Sequence, residues 1–256
     1  MAKFFPGRLT FITPLLILSN QSTLVQIKSY NSDLTRMPNV LIVGGNRGIG
    51  LSLVKQYAAV GNKVWSTCRT AGGDKIENVT IVPGIDTSSD EVIANLKNAG
   101  LPDKLDIVIV NAGVGAMDKF ENLPNTEECT RLFNINAVGP LRVAKAVESR
   151  LKEGSKFAAV TSRMGSMADN GSGNFYGYRM SKAALNAAMT SLKHDFKKKS
   201  VSVAILHPGF VQTDMTSGRG DITADQSAEG LIKRVAETNM ENTGTFWHQN
   251  GEILPW

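Results

Sequence analysis

The sequence predicts one α/β domain over residues 37–256, built as a doubly wound parallel sheet with helices on both faces. Three observations support this fold class. Short apolar runs rich in Val and Ile alternate with longer helical segments after Pro38. These runs show little alternation of apolar and polar residues, which is typical of parallel strands covered on both faces. No internal repeat or low-complexity tract interrupts the chain after residue 37. Strand alternating with helix then implies right-handed βαβ crossovers.

The predicted elements follow in chain order. We expect strands at residues 40–43, 63–67, 79–82, 105–110, 157–161 and 201–206, and helices at residues 49–60, 90–98, 126–151, 178–198 and 227–240. Residues 69–78 include Gly72 and Gly73 and leave room for a brief helix at most. In such a sheet, ligands bind outside the carboxyl ends of the strands, so the residues just after each apolar run are the candidates for function.

Residues 1–36 are interpreted as a targeting segment and excluded from the domain. They hold no acid before Asp33, are rich in Ser, Thr and Asn, and contain an apolar stretch at residues 9–18 interrupted by Pro14. That stretch is too short to span a bilayer, and the pattern is typical of an organelle transit peptide. We expect a mitochondrial or plastid matrix location. A secretory signal, an interfacial anchor and a cytoplasmic location stay open as alternatives.

Charge and cysteine usage argue against several classes of function. The net charge is +5, but residues 1–36 contain four basic residues against one acid, so only +2 remains for the other 220 residues. A nearly balanced domain gives no electrostatic reason to expect nucleic acid as a partner. Cys68 and Cys129 have no CxxC spacing, and the three histidines fit no metal-ligand motif. We therefore expect no metal site, no disulfide framework and no membrane span.

A glycine-rich turn, GGNRGIG, follows the first predicted strand. Its glycines permit a tight turn and close backbone approach, and the helix that follows points its amides at an anion such as a pyrophosphate. The spacing differs from GxGxxG, and the lysine of the GxxxxGK[ST] loop is absent, which disfavours nucleotide triphosphate hydrolysis. The turn therefore predicts a dinucleotide site that uses Gly44, Asn46, Arg47, Gly48, Ile49 and Gly50.

The end of the second strand usually selects between the two nicotinamide cofactors. An acid there takes the adenosine ribose hydroxyls, whereas an arginine accepts a 2′-phosphate. Here Cys68 and Arg69 follow the strand, and Arg47 adds a second cation. We expect NADP(H) rather than NAD(H), the alternative being that both arginines simply face water.

The other strand ends carry further candidates. Asp86 could accept a hydrogen bond from the adenine amino group or cap a turn. Asn111, Ala112 and Gly113 could let the backbone pass close to a ribose, although Asn111 could instead tie neighbouring loops together. After the sixth strand, the turn HPGFVQT could hold a nicotinamide carboxamide, with Pro208, Gly209, Val211 and Thr213 as its cofactor-binding residues.

The segment YGYRMSK offers two tyrosines and one lysine. Residues four apart share a helix face, so Tyr178 and Lys182 can address the same point, whereas Tyr176 has Met180 at that spacing. An ammonium beside a phenol lowers a pKa that is otherwise about 10 and makes the phenol a usable acid. Tyr178 is therefore the candidate acid.

These motifs together resemble the short-chain dehydrogenase/reductase superfamily from residue 39 onward. The matching features, in order, are Gly44-x-x-x-Gly48-Ile49-Gly50, Asn111-Ala112-Gly113, Asn136, Ser162, Tyr178-x-x-x-Lys182 and Pro208-Gly209. The runs YRMSKAALN and GTFWHQNGEILPW further resemble the carbonyl-reductase-like branch that includes the C-factor and sniffer proteins. The resemblance implies a single Rossmann-like domain.

The resemblance also implies a catalytic set. Tyr178 would protonate the carbonyl oxygen while NADPH gives its hydride to the carbon, and the reverse reaction would return both. Lys182 would lower the pKa of Tyr178 and bind the nicotinamide ribose, and Ser162 would hydrogen-bond the carbonyl oxygen. Asn136 would hold a water that links Lys182 to solvent, and a helix disturbance at Gly139-Pro140 could free a backbone carbonyl for that water. Without the resemblance, Asn136 could equally be a polar residue tucked under the sheet.

Two departures from the family pattern bear on these assignments. Val43 stands before the glycine turn where the family usually has Thr, so one hydrogen bond in the turn is expected to be missing. Ser162 lies 16 residues before Tyr178, a longer interval than is usual in the family, and Ser166 in the same loop is the alternative for the serine role.

The loops above the cofactor, residues 114–121, 164–175 and 210–221, suggest the substrate class. They hold few fixed charges and the apolar residues Met117, Met164, Met167, Phe175, Phe210 and Met215. We expect a small or medium apolar carbonyl substrate, an aldehyde, ketone or quinone, or the corresponding alcohol. The family also implies a homodimer or homotetramer. The competing hypothesis is a non-catalytic NADP(H)-binding protein that senses redox state.

Overall fold

The computed structural model describes residues 37–70, 72 and 75–256. The predicted targeting segment, residues 1–36, lies outside them, and its role stays a prediction. One parallel sheet runs through the described part of the chain, in the spatial order β3-β2-β1-β4-β5-β6-β7. Its strands are β1 Asn39–Val43, β2 Lys63–Thr67, β3 Val79–Val82, β4 Leu105–Val110, β5 Leu151–Val160, β6 Ser202–His207 and β7 Phe246–His248.

Helices cover both faces of this sheet. They are α1 Gly48–Ala59, α2 Glu91–Lys97, α3 Thr126–Phe133, α4 Gly139–Val147, α5 Tyr176–Lys197 and α6 Ala224–Glu237. Helices α1 and α6 contact each other, and so do α2 and α4, and α3 and α5. Strand β1 is buried along its whole length, as a central strand covered on both faces must be. The predicted doubly wound α/β class is confirmed.

The strands are added to the sheet in one lateral direction from β1 to β3 and in the opposite lateral direction from β4 onward, so the order reverses between β1 and β4. Strands β1 to β3 build one half, and the chain then crosses back to place β4 beside β1. The parallel register sets Val43 beside both Thr67 and Val110. The loops that follow these three strands therefore meet at one edge, the topological switch point where ligands bind in open sheets.

The long helix predicted over residues 126–151 is broken in the structure. Helix α3 ends at Phe133, a π-helical turn spans Asn134–Val138, and α4 begins at Gly139 with Pro140 in its first turn. Proline has no N–H to continue the preceding hydrogen-bond ladder. The disturbance expected at Gly139-Pro140 therefore lies one turn earlier, around Asn136.

Other boundaries also differ from the sequence-based prediction. Strand β5 begins at Leu151 rather than residue 157, because a polar and glycine-containing stretch in its first half hides the strand pattern. Strand β7 was not predicted, since three residues carry too little pattern. Helix α6 begins three residues early, where Thr223 and Gln226 form a capping box.

Two kinds of helix are absent from the described residues, a helix between β2 and β3 and a helix that spans a membrane. Residues 69–70, 72 and 75–78 form no helix, in agreement with the expectation for that segment. None of the helices in the described ranges is long and apolar enough to cross a bilayer.

Candidate active site

The glycine turn lies against the loop that follows β4. Gly44 and Gly48 have φ of +82° and +51°, in the left-handed region. A Cβ on Gly50 would lie 2.0 Å from the carbonyl oxygen of Gly44, so only glycine fits there. The Asn111 side chain donates to that same oxygen at 3.0 Å. Asn111 thus ties the two loops together, the alternative that the sequence left open.

Backbone hydrogen bonds complete this junction. The Val43 carbonyl accepts from the N–H groups of both Asn111 and Ala112 at 2.9 Å. The Gly44 N–H donates to the Thr67 hydroxyl at 3.1 Å. The sequence led us to expect that the turn lacks one hydrogen bond, because Val43 stands where the family usually has Thr. In the structure, Thr67 at the end of β2 supplies a hydrogen bond to the turn.

The first turn of α1 is open to an anion. Arg47 is the N-cap residue in extended conformation, its side chain makes no capping bond, and the first turn contains no acid. The N–H groups of that turn have no intrahelical partner, and the helix dipole favours negative charge there. Asn46 and Arg47 are exposed, while Ile49 is half-buried. The turn fits the pyrophosphate site expected from its sequence.

The two predicted cations lie at adjoining strand ends. The Gly45 N–H donates to the Thr67 carbonyl at 3.1 Å, which brings the glycine turn beside the segment that carries Arg69. Arg69 is exposed. Arg47 is bound to a carboxylate, with Nη1 2.8 Å from Oδ2 of Asp214. A positive patch that fits a phosphate is therefore present, and one of its members is already paired.

Asp86 caps a turn. Its carboxylate accepts from the backbone N–H of Ser88 at 2.9 Å and from the Ser88 hydroxyl at 2.8 Å. These bonds lower the pKa of Asp86, with a smaller contribution from Arg69. Of the two roles that the sequence allowed, adenine contact and turn cap, the hydrogen bonds support the cap.

Ser162 and Tyr178 meet at the carboxyl edge of the sheet. Ser162 lies two residues after the end of β5, and Tyr178 lies in the first turn of α5. The Ser162 hydroxyl acts on the Tyr178 phenol in the direction that lowers the pKa of that phenol, so the two side chains are neighbours. Ser166 is buried, and its hydroxyl accepts from the Asp169 N–H at 3.1 Å. Of the two serines, Ser162 is therefore the one placed beside the tyrosine.

Tyr178 is a protonated phenol in this environment. Burial raises its pKa above the ordinary value, and the Ser162 hydroxyl acts in the opposite direction without reversing the shift. The sequence led us to expect a pKa lowered by Lys182. That expectation is not met, because desolvation of the phenol outweighs the other influences.

Lys182 is buried beneath the tyrosine. Its Nζ lies 5.8 Å from the centroid of the Tyr178 ring and donates to the Val160 carbonyl at 3.0 Å. Burial lowers its pKa to about 8. A Cβ on Gly113 would lie 3.5 Å from Nζ. Because Gly113 has no side chain, no Cβ occupies that position beside the lysine nitrogen.

The Asn136 side chain is fully engaged with protein groups. Its Oδ1 accepts from the Val114 N–H at 2.9 Å, and its Nδ2 donates to the Val114 carbonyl at 2.8 Å and to the Ser181 hydroxyl at 3.0 Å. Asn136 therefore anchors the loop after β4 to the helix that carries Tyr178. These bonds give the side chain a structural role, and the role of a freed backbone carbonyl in holding a water stays a prediction.

The loop after β6 closes over the glycine turn. The Pro208 carbonyl accepts from the Ser227 hydroxyl at 2.7 Å, and Gly209 has φ of +88°. Val211 is buried and forms a bridge to Ile222. The methyl group of Thr213 lies 3.4 Å from where a Cβ on Gly48 would be. All the predicted cofactor residues thus lie along one edge of the sheet.

His207, which the sequence reasoning passed over, ends β6 beside this loop. Its ring lies 4.8 Å from the ring of His248. Burial is the main reason that its pKa is lowered to about 3, and the positive charges of Arg163 and Lys182 contribute. His207 is therefore neutral near pH 7, with one of its two ring nitrogens protonated.

Two anchors for the loops around the site were also missed. Arg163 pairs with Asp169 at 2.7 Å and with Glu252 at 2.8 Å, and Asp118 accepts from the Gly177 N–H at 2.9 Å. Only the position of Arg163 beside Ser162 could have signalled such a role. Among the described residues, no group of three or more His, Cys, Asp and Glu side chains could hold a metal ion.

Comparisons with known proteins agree with this arrangement. The family model described as short chain dehydrogenase matches residues 38–224. The chain is 40% identical over 229 residues to the 1-hydroxy-2-glutathionyl-2-methyl-3-butene dehydrogenase of Rhodococcus sp. (strain AD45), covering 86% of this chain and 100% of that protein. The predicted oxidoreductase class is thereby confirmed.

Two solved structures resemble the described domain. The NADPH-bound carbonyl reductase from chicken fatty liver is 27% identical, with a TM-score of 0.79. The carbonyl reductase Sniffer of D. melanogaster is also 27% identical, with a TM-score of 0.76. Each comparison covers 86% of this chain and 100% of the other. A family match that spans most of the domain, on a sheet whose strand ends carry the expected motifs, means that this chain belongs to the short-chain dehydrogenase/reductase family.

Proposed function

We propose that this protein is an NADP(H)-dependent reductase of small or medium apolar carbonyl compounds, namely aldehydes, ketones or quinones. The observation that carries the proposal is the placement of Ser162 and the Lys182 ammonium around the phenol of Tyr178, with Nζ 5.8 Å from the centroid of the tyrosine ring. This is the arrangement that a carbonyl oxygen needs in order to be held and protonated.

The residues at the sheet edge fit the cofactor. The open first turn of α1 suits the pyrophosphate, Arg47 and Arg69 suit a 2′-phosphate, and Gly113 leaves space above Lys182. The nicotinamide supplies a hydride when the cofactor is bound. The NADPH-bound state of the chicken reductase supports the same cofactor here.

The chain's own residues handle the proton. The raised pKa of Tyr178 keeps its hydroxyl protonated at neutral pH, so it can donate to the carbonyl oxygen as negative charge develops there. Ser162 donates a second hydrogen bond to that oxygen. The Lys182 ammonium, with its pKa lowered to about 8, remains charged near pH 7 and stabilises the phenolate that the transfer leaves.

The surroundings support an apolar substrate. Met117, Met167, Phe210 and Met215 are exposed on the loops that border the site. The sulfur of Met215 lies 3.3 Å from where a Cβ on Gly115 would be, so the loops after β4 and β6 approach each other there. Flexible methionines suit apolar groups of varied shape. The dehydrogenase activity of the Rhodococcus relative is compatible with the same chemistry run in the oxidative direction.

Exposed apolar side chains favour self-association. Phe133 at the end of α3, Leu141 on α4 and Met180 on α5 are all exposed. Such side chains would be covered by a second copy of the chain. The proposal therefore includes a homodimer or homotetramer, which light scattering of the purified protein tests.

NADPH oxidation with a panel of aldehydes, ketones and quinones tests the proposed activity. Tyr178→Phe should lower turnover by about 10²–10⁴-fold, the contribution of a positioned general acid. Tyr176→Phe, the matched control two residues away, should keep wild-type turnover. NADPH binding by the wild-type chain with no turnover on any substrate would favour the redox-sensing alternative.

A further inference from the structure

We propose that Asp214 competes with the 2′-phosphate of NADP(H) for Arg47 and thereby weakens the preference of the site for that cofactor over NAD(H). This inference rests on the proposed cofactor. It concerns an acid that faces the phosphate site, where only cations are expected to aid binding.

The competing contact is direct. Nη1 of Arg47 lies 2.8 Å from Oδ2 of Asp214, and the two side chains are 67% and 77% exposed. Arg47 immediately precedes α1, whereas Asp214 lies 167 residues further along the chain, in the loop after β6. The pair therefore joins the glycine turn to the loop after β6.

The position of Asp214 is fixed by its own loop. Asp214–Thr216 form a short 3₁₀ helix, and the Thr213 N–H donates to the Thr216 hydroxyl at 3.1 Å. That hydroxyl donates in turn to the Val211 carbonyl at 2.8 Å. The backbone at residue 214 is therefore held in place, and its carboxylate stays within reach of Arg47.

The two arginines expected at the 2′-phosphate differ in the carboxylate contacts that they already make. Arg69 acts electrostatically on Asp86, and that carboxylate is already held by both donors of Ser88. Arg47 is hydrogen-bonded to its acid. A guanidinium that donates two hydrogen bonds to a phosphate cannot at the same time keep its present hydrogen-bond geometry with a carboxylate. Binding the 2′-phosphate through Arg47 thus requires the Asp214 contact to break or rearrange.

The expected size of the effect follows from the exposure of the pair. Exposed ion pairs contribute little, and the measured range corresponds to a factor of about 1.4–5 in an equilibrium constant. A ligand with a 2′-phosphate should therefore bind up to about fivefold more tightly when Asp214 loses its charge. A ligand without that phosphate should be unaffected, because it makes no demand on Arg47.

Calorimetric titration of the full chain with two cofactor fragments tests this. Adenosine 2′,5′-bisphosphate carries the 2′-phosphate, and adenosine 5′-monophosphate lacks it. Asp214→Asn should tighten binding of the bisphosphate by about 1.4–5-fold and leave the monophosphate unchanged. Asp214→Glu keeps the charge and should stay near wild type. Asp221→Asn, which removes an exposed acid from the same loop, is the matched control and should change neither affinity.

The Asp214→Asn substitution in an Arg47→Gln variant makes the test specific. Arg47→Gln should bind the bisphosphate more weakly than the wild-type chain, and adding Asp214→Asn to it should not tighten that binding. An unchanged or weakened bisphosphate affinity in Asp214→Asn would overturn the inference, as would an equal gain for both fragments or a gain that persists without Arg47. If the wild-type chain does not prefer the bisphosphate at all, the proposed cofactor itself is wrong. A wild-type preference with no effect of Asp214→Asn refutes this inference alone.

Discussion

The Lys182 ammonium donates a hydrogen bond of 3.0 Å to the backbone carbonyl of Val160. Val160 is the last residue of β5 and lies two residues before Ser162, while Lys182 lies one helical turn after Tyr178. This single bond therefore joins the strand that presents the serine to the helix that presents the tyrosine. A lysine assigned to the electrostatics of the site also fixes its geometry.

The buried ammonium should leave a signature in the pH dependence of stability. Its pKa is about 8 in the folded protein and 10.5 as the ordinary value. Between these values the unfolded state holds more protons than the folded state, so the free energy of unfolding should rise with pH from about 8 to about 10.5. Lys182→Met should lose the part of this rise that Lys182 contributes and should also lose turnover, which denaturant titrations at several pH values and activity assays measure.

Lys156 provides the control for that measurement. Burial lowers its pKa to about 8 as well, and it donates to the Val235 and Ala236 carbonyls near the end of α6, away from the tyrosine. Lys156→Met should remove a comparable part of the rise while turnover is retained. If Lys182→Met kept the wild-type pH dependence of stability, its ammonium would not be buried as the structure has it.

Much of the fold could be predicted because the parallel strands carry an unusually plain signal. Runs such as residues 40–43 and 107–110 are apolar throughout, since helices cover both faces. The prediction failed where the local pattern was weak or interrupted. Strand β7 has three residues, and the first half of β5 is polar where it pairs only through Leu151 and then resumes at Lys156.

The sequence predicted which residues belong to the site better than it predicted the contacts that those residues make. Glycines with φ above zero and the four-residue spacing of Tyr178 and Lys182 are visible in sequence because local geometry demands them. The bonds of Asn136 to Val114 and of Thr67 to Gly44 join residues about twenty positions apart. No local pattern encodes such contacts. The direction of the Tyr178 pKa shift was also missed, because desolvation depends on burial in the folded state.

Asn136 should act as a positioning residue for the loop after β4. Asn136→Ala leaves the N–H and carbonyl of Val114 without partners, which should cost about 1–3 kcal/mol of unfolding free energy. Misplacement of that loop should also lower kcat/KM about ten- to a hundredfold. The control is Asn134→Ala, which removes bonds to Ser88 and Arg142 outside the site and should reduce stability alone. Equal kcat/KM losses in both variants would argue against a specific role for Asn136.

The helix that carries Tyr178 is capped from another loop. Phe175, its N-cap residue, provides no side-chain bond, and the Asp118 carboxylate instead accepts from the Gly177 N–H at 2.9 Å. Asp118→Ala should destabilise the protein by about 1 kcal/mol and lower kcat by shifting Tyr178, whereas Asp118→Asn keeps an acceptor and should restore most of both.

Asn125 gives the matched control for this cap. It caps α3 by accepting from the Glu128 N–H at 3.1 Å. Asn125→Ala should cost a similar amount of stability, measured by denaturant titration, with kcat unchanged. A kcat for Asp118→Ala equal to that of Asn125→Ala would mean that the cap stabilises the helix without placing the tyrosine.

Arg163 should influence substrate selection through the loop after Ser162. It bridges Asp169, within that loop, and Glu252, near β7, and the backbone N–H of Ala168 donates to the Trp256 carbonyl at 2.9 Å. These contacts hold residues 163–169 against the segment at residues 252–256. Because the ion pairs are partly exposed, Glu252→Gln should change KM by less than about fivefold, with larger changes for bulkier carbonyl substrates and kcat nearly constant.

Glu148→Gln, which breaks the pairs with Lys145 and Lys199 elsewhere on the surface, should leave KM unchanged. A drop in kcat with constant KM in Glu252→Gln would instead place the effect on Ser162 and the chemical step, because a serine displaced from the carbonyl oxygen weakens transition-state binding.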